Sequence, residues 1–419
     1  MLVVRAAPAS TAPPGSPPLE LPAEPQAVRV AGGKCARDLP PGASTLNVAG
    51  LAGDRLTAFV EGLCLGGYRY TQARSPKPTA TEATLAGADD AEAIARGLRI
   101  AAAVAWARDL ANTPAATKTP AWLGEQATAE LAPLGVDVQV RDVDWLRAQG
   151  FHGVLAVGGA SSAPPRFIEA SWRPRGAKAG VHLVLVGKGI TFDTGGLNRK
   201  VGDGMRTMHT DMSGGAATLA ALRIVAGNRV PVRVTVLVPA AENSFGAASY
   251  RPSDVVRHYG GRTSEILNTD AEGRIVLADA LAYAAATLKP SAIVDIATLT
   301  GAMKLALGMR MAGMFATTDD LAGQLLAAGE LSGEQLWRMP LHDEYLATLD
   351  SDVADANNSP GSPGGITAAL FLRPFAGRVP WAHLDIAGPA RAGSNDGMIS
   401  RGATGFGARL LADWVQAQG

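Results

Sequence analysis

The heptapeptide Asn268-Thr269-Asp270-Ala271-Glu272-Gly273-Arg274 sets two carboxylates and a guanidinium within five consecutive positions, directly ahead of a long apolar segment. In extended or loop backbone, two-residue spacing turns Asp270, Glu272 and Arg274 to one side, so all three could converge on one point. Carboxylates that close repel and resist joint ionisation; a cation between them relieves both. The plainer reading is a surface acidic turn with an arginine partner. A second cluster lies upstream, where the apolar run Val181-His182-Leu183-Val184-Leu185-Val186-Gly187 reads as a buried strand. It empties into Lys188-Gly189-Ile190-Thr191-Phe192-Asp193-Thr194-Gly195-Gly196, then Lys200, then Met208-His209-Thr210-Asp211. The glycines allow sharp turns and close approach to a ligand. Phosphate binding is excluded, because the loop has Gly-Lys-Gly where Gly-Lys-Ser/Thr is needed, and dinucleotide spacing is absent. Asp193, Asp211, Asp270 and Glu272 are hard oxygen donors suited to divalent ions, and carboxylates can bridge two metals about 3.5–4 Å apart.

These segments resemble the leucyl aminopeptidases, the cytosolic di-zinc family. Asn268–Arg274 followed by Ile275-Val276-Leu277-Ala278-Asp279-Ala280-Leu281 is similar to that family's signature. Val186–Asp193 is similar to its first metal segment, and Thr298-Leu299-Thr300-Gly301-Ala302 to a further active-site loop. The resemblance covers roughly residues 105–419 and is weak before them. It implies one tightly held metal on Lys188, Asp193, Asp211 and Glu272, and a more exchangeable one on Asp193, Asp270 and Glu272. Lys200 and Arg274 correspond to the family's two catalytic cations, with bicarbonate on Arg274 as a proton acceptor. The expected cofactors are two divalent ions, zinc or manganese. Lys188 could ligate only as a neutral amine; an ordinary salt bridge to a nearby acid is the alternative.

The activity so implied is removal of amino-terminal residues, Leu-like ones preferred, from peptides with a free amino terminus. Met208 would wall the side-chain pocket, or else be a core methionine filling a gap; the backbones of Leu299 and Gly301 would hold the substrate. His209 stands where relatives commonly carry Lys or Arg. The histidines at 152, 182, 258, 342 and 383 are scattered and form no ligand cluster. A homohexamer is implied as well. The competing readings are another two-metal amidohydrolase, which would cleave substrates lacking a free amino terminus, and a non-catalytic scaffold descendant, against which the complete polar set argues.

Positioning such a site requires strands that end together. Val136–Val140, Val154–Val157, Phe167–Trp172, His182–Val186, Val232–Val238, Ala292–Ala297, Gly313–Thr317 and Trp381–Ile386 read as strands. Helices are expected at Ala121–Leu131, Gly215–Ile224, Ile275–Leu288, Leu321–Ala328, Gly365–Leu372 and Thr404–Gln416. The alternation makes an α/β fold: a three-layer αβα catalytic domain with a central mixed, mostly parallel sheet. A smaller, shortened α/β amino-terminal domain precedes it over 1–90, with Leu56–Leu65 helical and Pro13–Pro18 irregular. A helix over Ala91–Asn112 links the two within 91–113, and the catalytic domain occupies 114–419.

Global properties fit that reading. The 419 residues, 47% hydrophobic, can fill a substantial core. Lys+Arg and Asp+Glu both total 38, which leaves no electrostatic footprint for nucleic acid. No apolar run reaches the roughly 18 residues needed to span a bilayer. Two cysteines are too few for a disulfide framework, and cytoplasm is the expected compartment.

Overall fold

Strands His182–Gly187 and Ala292–Ala297 are buried at every position, so both faces of their sheet must be covered. The computed structural model describes residues 2–71 and 80–419; the stretch Ser75–Pro78, whose two prolines read as a loop in the sequence, lies outside them. Two compact units emerge: Met1–Asp109 with Ala392–Thr404, and Leu110–Arg391 with Gly405–Gly419. Their boundary falls within the helix Ala91–Asn112.

The larger unit carries the sheet. Its order from one edge is Leu336–Arg338, Ala312–Ala316, Trp381–Asp385, Ala292–Ala297, His182–Gly187, Arg233–Asn243, Arg166–Trp172 and Asp137–Arg141. Gly189–Asp193 pairs beside the far half of Arg233–Asn243. The four strands from Trp381–Asp385 to Arg233–Asn243 are parallel, and antiparallel pairings flank them. On one face Val184, Val186, Leu237 and Ile293 pack with Ile275, Val276 and Leu281 of helix Glu272–Tyr283. Successive strand residues alternate between faces, so Leu183 and Leu185 point to the other side. Small residues let helix Ser213–Gly227 lie close to the strands. A Cβ on Gly214 would stand 2.1 Å from the Ile296 carbonyl oxygen. The result is a mixed, mostly parallel sheet between helical layers.

The smaller unit has a three-stranded parallel sheet of Val3–Ala7, Ala80–Ala86 and Gly42–Asn47. Helices Pro25–Asp38 and Gly53–Gly66 cross in close contact, since a Cβ on Gly62 would fall 1.9 Å from the Arg29 carbonyl oxygen. The first of these helices was not expected in the Ala- and Gly-rich opening. Among the described residues, no helix is long and apolar enough to cross a membrane.

One expectation fails outright. Val154–Val157 lies in a helix, His152–Gly158, not a strand. Short apolar runs lack a decisive period, and tertiary contacts decided this one. Gly153 abuts Ile275, and Asp279 accepts the Val154 N–H at 3.0 Å.

Candidate metal site

The parallel strands deliver their carboxyl ends to one place, where open α/β sheets bind ligands. Lys188 occupies the break between His182–Gly187 and Gly189–Asp193. Its N–H bonds the Ile296 carbonyl at 3.1 Å and its own carbonyl accepts from Gly215 N at 2.8 Å. Asp193 closes the next strand, Asp211 follows the 3-10 helix Gly202–Thr210, and Glu272 opens helix Glu272–Tyr283. Asp270 precedes that helix in a turn, its N–H held by Asn268 Oδ1 at 2.8 Å.

Asp193, Asp270 and Glu272 present oxygens within 4.8 Å of one another, as the spacing suggested, but by a different route. Glu272 and Arg274 belong to a helical first turn, so a turn-to-helix transition brings them together, not strand alternation. Asp211 approaches from the other side through Lys188. The Lys188 ammonium lies 2.8 Å from Asp211 Oδ2, 2.7 Å from Glu272 Oε1 and 3.0 Å from the Thr298 carbonyl. Lys200 bridges Asp193 Oδ2 at 2.8 Å and Asp270 Oδ1 at 2.5 Å. The lysines thus interleave with all four acids. The Lys188 end is buried, whereas the Asp270 side chain keeps 32% of its exposure, so the site opens to solvent on the Asp270 side.

Electrostatics follow from that packing. Burial holds the carboxyls of Asp211 and Glu272 above the ordinary range, and Asp193 beside them adds to the effect. For Lys188, burial pushes the amine down, but Asp211, Glu272 and Asp193 outweigh it and leave the pKa above its usual value. Without a bound ion, then, the salt-bridge form of Lys188 is the one present. Arg274 is pushed down to about 10 by burial, against the opposing pull of Glu272 and Asp385.

Unused valences test whether the donors suit a cation. Asp211 Oδ2 and Asp270 Oδ1 are buried and accept no hydrogen bond of good geometry, although each has a lysine nitrogen at ion-pair distance. Buried carboxylate oxygens in that condition are unusual and fit a divalent ion. The other oxygens are tied down: Asp193 Oδ1 accepts from Gly195 N and Asn243 Nδ2, both at 2.8 Å, and Asp211 Oδ1 accepts from Thr298 Oγ1 at 2.6 Å.

The remaining expected residues lie around this core. Arg274 is buried, donates from Nη1 to the Asn358 carbonyl at 2.8 Å, and keeps Nε without a partner. Met208 is half-buried in the 3-10 helix, Leu299 is half-buried, and Gly301 is exposed at a helix start. Leu299 meets Gly273 and Lys188: a Cβ on Gly273 would lie 2.9 Å from Leu299 Cδ1 and 2.7 Å from Lys188 Cε. His209 is pushed down to about 4 by burial, with Lys118 and Arg391 adding to it, so it is neutral near physiological pH.

Several supporting residues carried no signal in the sequence. Asn243 ties Asp193 to the Thr269 carbonyl, at 2.8 and 3.1 Å. Asn358 Oδ1 accepts from Leu267 N and Asn268 N, at 2.8 and 3.2 Å. Buried Lys118 donates to the carbonyls of Leu110, Ala111 and His209, fixing the approach to Asp211. Elsewhere, Ser264, His258 and Asp279 form a relay resembling a hydrolytic triad, at 2.9 and 3.1 Å. That relay is sealed, and Asp279 is occupied by the amides of Val154 and Tyr259; it serves the core.

Comparisons with known proteins point to one family. Residues 105–412 match the family described as cytosol aminopeptidase family, catalytic domain. A probable cytosol aminopeptidase from Roseiflexus castenholzii is 46% identical over 376 residues, covering 86% of this chain and 77% of the relative. One from Syntrophotalea carbinolica is 43% identical over 374 residues, covering 86% and 74%. Among solved structures, the bottromycin maturation enzyme BotP in complex with Mn superposes with a TM-score of 0.88 at 36% identity, covering 100% of this chain and 99% of that one. Cytosol aminopeptidase from Coxiella burnetii gives 0.85 at 36% identity, covering 94% and 85%.

Proposed function

The chain belongs to the cytosol aminopeptidase family, and from that premise we propose that it releases Leu-like apolar residues from the free amino terminus of peptides at a two-metal site. Membership makes it a metal-dependent peptidase, and two divalent ions, zinc or manganese, are the cofactors. The observation that carries the site assignment is the convergence of Asp193, Asp270 and Glu272 within 4.8 Å, interleaved with Lys188 and Lys200. Lys188, Asp193, Asp211 and Glu272 would hold one ion; Asp193, Asp270 and Glu272 would hold the other. Bound there, such ions supply an acidified water and polarise a carbonyl.

The protein's own groups do the rest. Four carboxylates offset two divalent charges, so Lys200 and Arg274 remain as positive surplus for a developing oxyanion, a contribution of several kcal/mol in comparable sites. Lys200, at the open end, turns from Asp193 and Asp270 towards the substrate carbonyl. Arg274, whose Nε has no hydrogen-bond partner, would hold a bicarbonate, which would supply the base for the attacking water. The backbones of Leu299 and Gly301 orient the substrate, and Met208 with the Leu299 side chain receives its apolar side chain. Water's oxygen bonds to the acyl carbon, the acyl carbon–nitrogen bond breaks, and the shortened peptide leaves as an amine that takes up the water's proton, while the released residue keeps the oxygen as its carboxylate. A homohexamer in the cytoplasm completes the reading, supported by the family resemblance.

The test is hydrolysis of leucine amide with manganese or zinc. Chelation is expected to abolish it, and the amino-acetylated substrate is expected to resist. Equal cleavage of the blocked substrate would make aminopeptidase the wrong class. A narrower role, maturation of one particular product, is favoured by the near-complete mutual coverage with the bottromycin maturation enzyme. A strong preference for one amino-terminal sequence over simple leucine peptides would support that version.

A further inference from the structure

Asp385 ends the strand Trp381–Asp385, is 1% exposed, and touches none of the metal-binding acids in the set above. Both of its oxygens are fully engaged by donors from the chain. Oδ1 accepts from Leu299 N at 3.2 Å and Ala387 N at 3.1 Å; Oδ2 accepts from Thr300 N at 3.0 Å and Thr300 Oγ1 at 2.6 Å. Three of those four donors belong to one short loop. Its preceding residue, Thr298, gives its carbonyl to Lys188 Nζ and its hydroxyl to Asp211 Oδ1. The loop is thus strung between the acids on one side and Asp385 on the other. Thr300 also starts the next helix, its Oγ1 accepting from Met303 N at 3.4 Å.

We propose that Asp385 is a positioning residue, which fixes the Thr298–Gly301 backbone at the height from which it meets the substrate. This rests on the aminopeptidase reading and adds to it the group that holds the substrate-facing loop. A carboxylate is required because all four partners are donors. An isosteric amide has a single acceptor atom, so its NH2 must face a backbone N–H whichever way it turns. Leu299 and Thr300 would then shift, while Thr298, anchored by Lys188 and Asp211, and Asp193, Asp270 and Glu272, which arrive on other segments, stay in place. Misplacing a substrate-orienting group by about 1 Å costs on the order of 100-fold in rate.

The experiment compares wild type with Asp385→Asn, loaded with Mn2+. Its readouts are kcat and KM for leucine amide, Mn2+ affinity by calorimetry, and hydrogen exchange of peptides spanning the loop. The expected result is a fall of about 100-fold in kcat/KM, faster exchange confined to the three amides that Asp385 accepts from, Leu299, Thr300 and Ala387, and Mn2+ affinity within about threefold of wild type. A kcat/KM within about threefold of wild type overturns the proposal; so does loss of Mn2+ binding together with general loss of protection, which would make the role structural. Should Asp385→Asn fail to fold, Thr300→Val removes one donor and Thr300→Ser restores it. The pair supports the proposal if only Val lowers kcat/KM, and overturns it if both match wild type. Wild type inert towards leucine amide defeats the aminopeptidase reading alone, and unchanged loop exchange in Asp385→Asn then defeats this one.

Discussion

Replacing Lys188 by Met separates what the lysine does without metal from what it does with metal. Its ammonium neutralises Asp211 and Glu272 at 2.8 and 2.7 Å, and all three side chains are at most 6% exposed, so solvent screens little of the interaction. Breaking a buried pair by removing one partner costs about 3–5 kcal/mol, because the other charge stays buried. With about 2 °C per kcal/mol for a domain of this size, chelated Lys188→Met should melt about 6–10 °C below chelated wild type. Excess Mn2+ supplies positive charge to the same carboxylates, so the gap should narrow. If the amine also ligates, Mn2+ affinity should fall by about tenfold or more, as loss of a ligand-supporting group does. Calorimetric melting in chelator and across a Mn2+ titration reads both. Melting within about 2 °C of wild type in chelator would refute the buried ion-pair reasoning.

Other perturbations probe the surroundings. Gly273→Ala places a methyl 2.7 Å from Lys188 Cε and 2.9 Å from Leu299 Cδ1. Although Ala favours helix by about 1 kcal/mol, kcat/KM should drop by at least about tenfold, checked by steady-state kinetics beside a melt. Arg274→Ala removes the buried guanidinium; kcat should fall on the order of 100-fold, and an unchanged turnover number would eliminate its role. His182 is pushed down to about 4 by burial, with Arg233 contributing, against about 6.5 unfolded. Between those values the unfolded chain binds the extra proton, so stability falls as pH drops from about 6.5 towards 4. In urea titrations across that window, His182→Gln should show a shallower fall than wild type.

Much of the frame was readable because its central strands are apolar at nearly every position, His182 and Asp295 apart. His182–Gly187 and Ala292–Ala297 could be placed with little ambiguity, and the acids at their ends followed. Val154–Val157 was misread because four residues of Val, Leu and Ala carry no decisive period, and contacts from Ile275 and Asp279 settle their conformation. Strand Arg233–Asn243 runs five residues past the Val238 end expected, which hid Asn243 as a partner of Asp193. Asp385 and Asn358 were illegible for a different reason. Their partners are mostly backbone groups 85 to 91 residues away, such as Leu299, Thr300, Leu267 and Asn268, and an amide N–H leaves no mark on residue type. The Asp270–Arg274 cluster was found for a sound chemical reason but an incorrect geometric one, since a helix start gathers it.

The most direct measurement is anomalous scattering from a crystal soaked in Mn2+. Two peaks are expected, one among Lys188, Asp193, Asp211 and Glu272 and one among Asp193, Asp270 and Glu272, with Lys200 displaced from its acids. No peak at these carboxylates, or ions bound only at unrelated surfaces, would contradict the two-metal site.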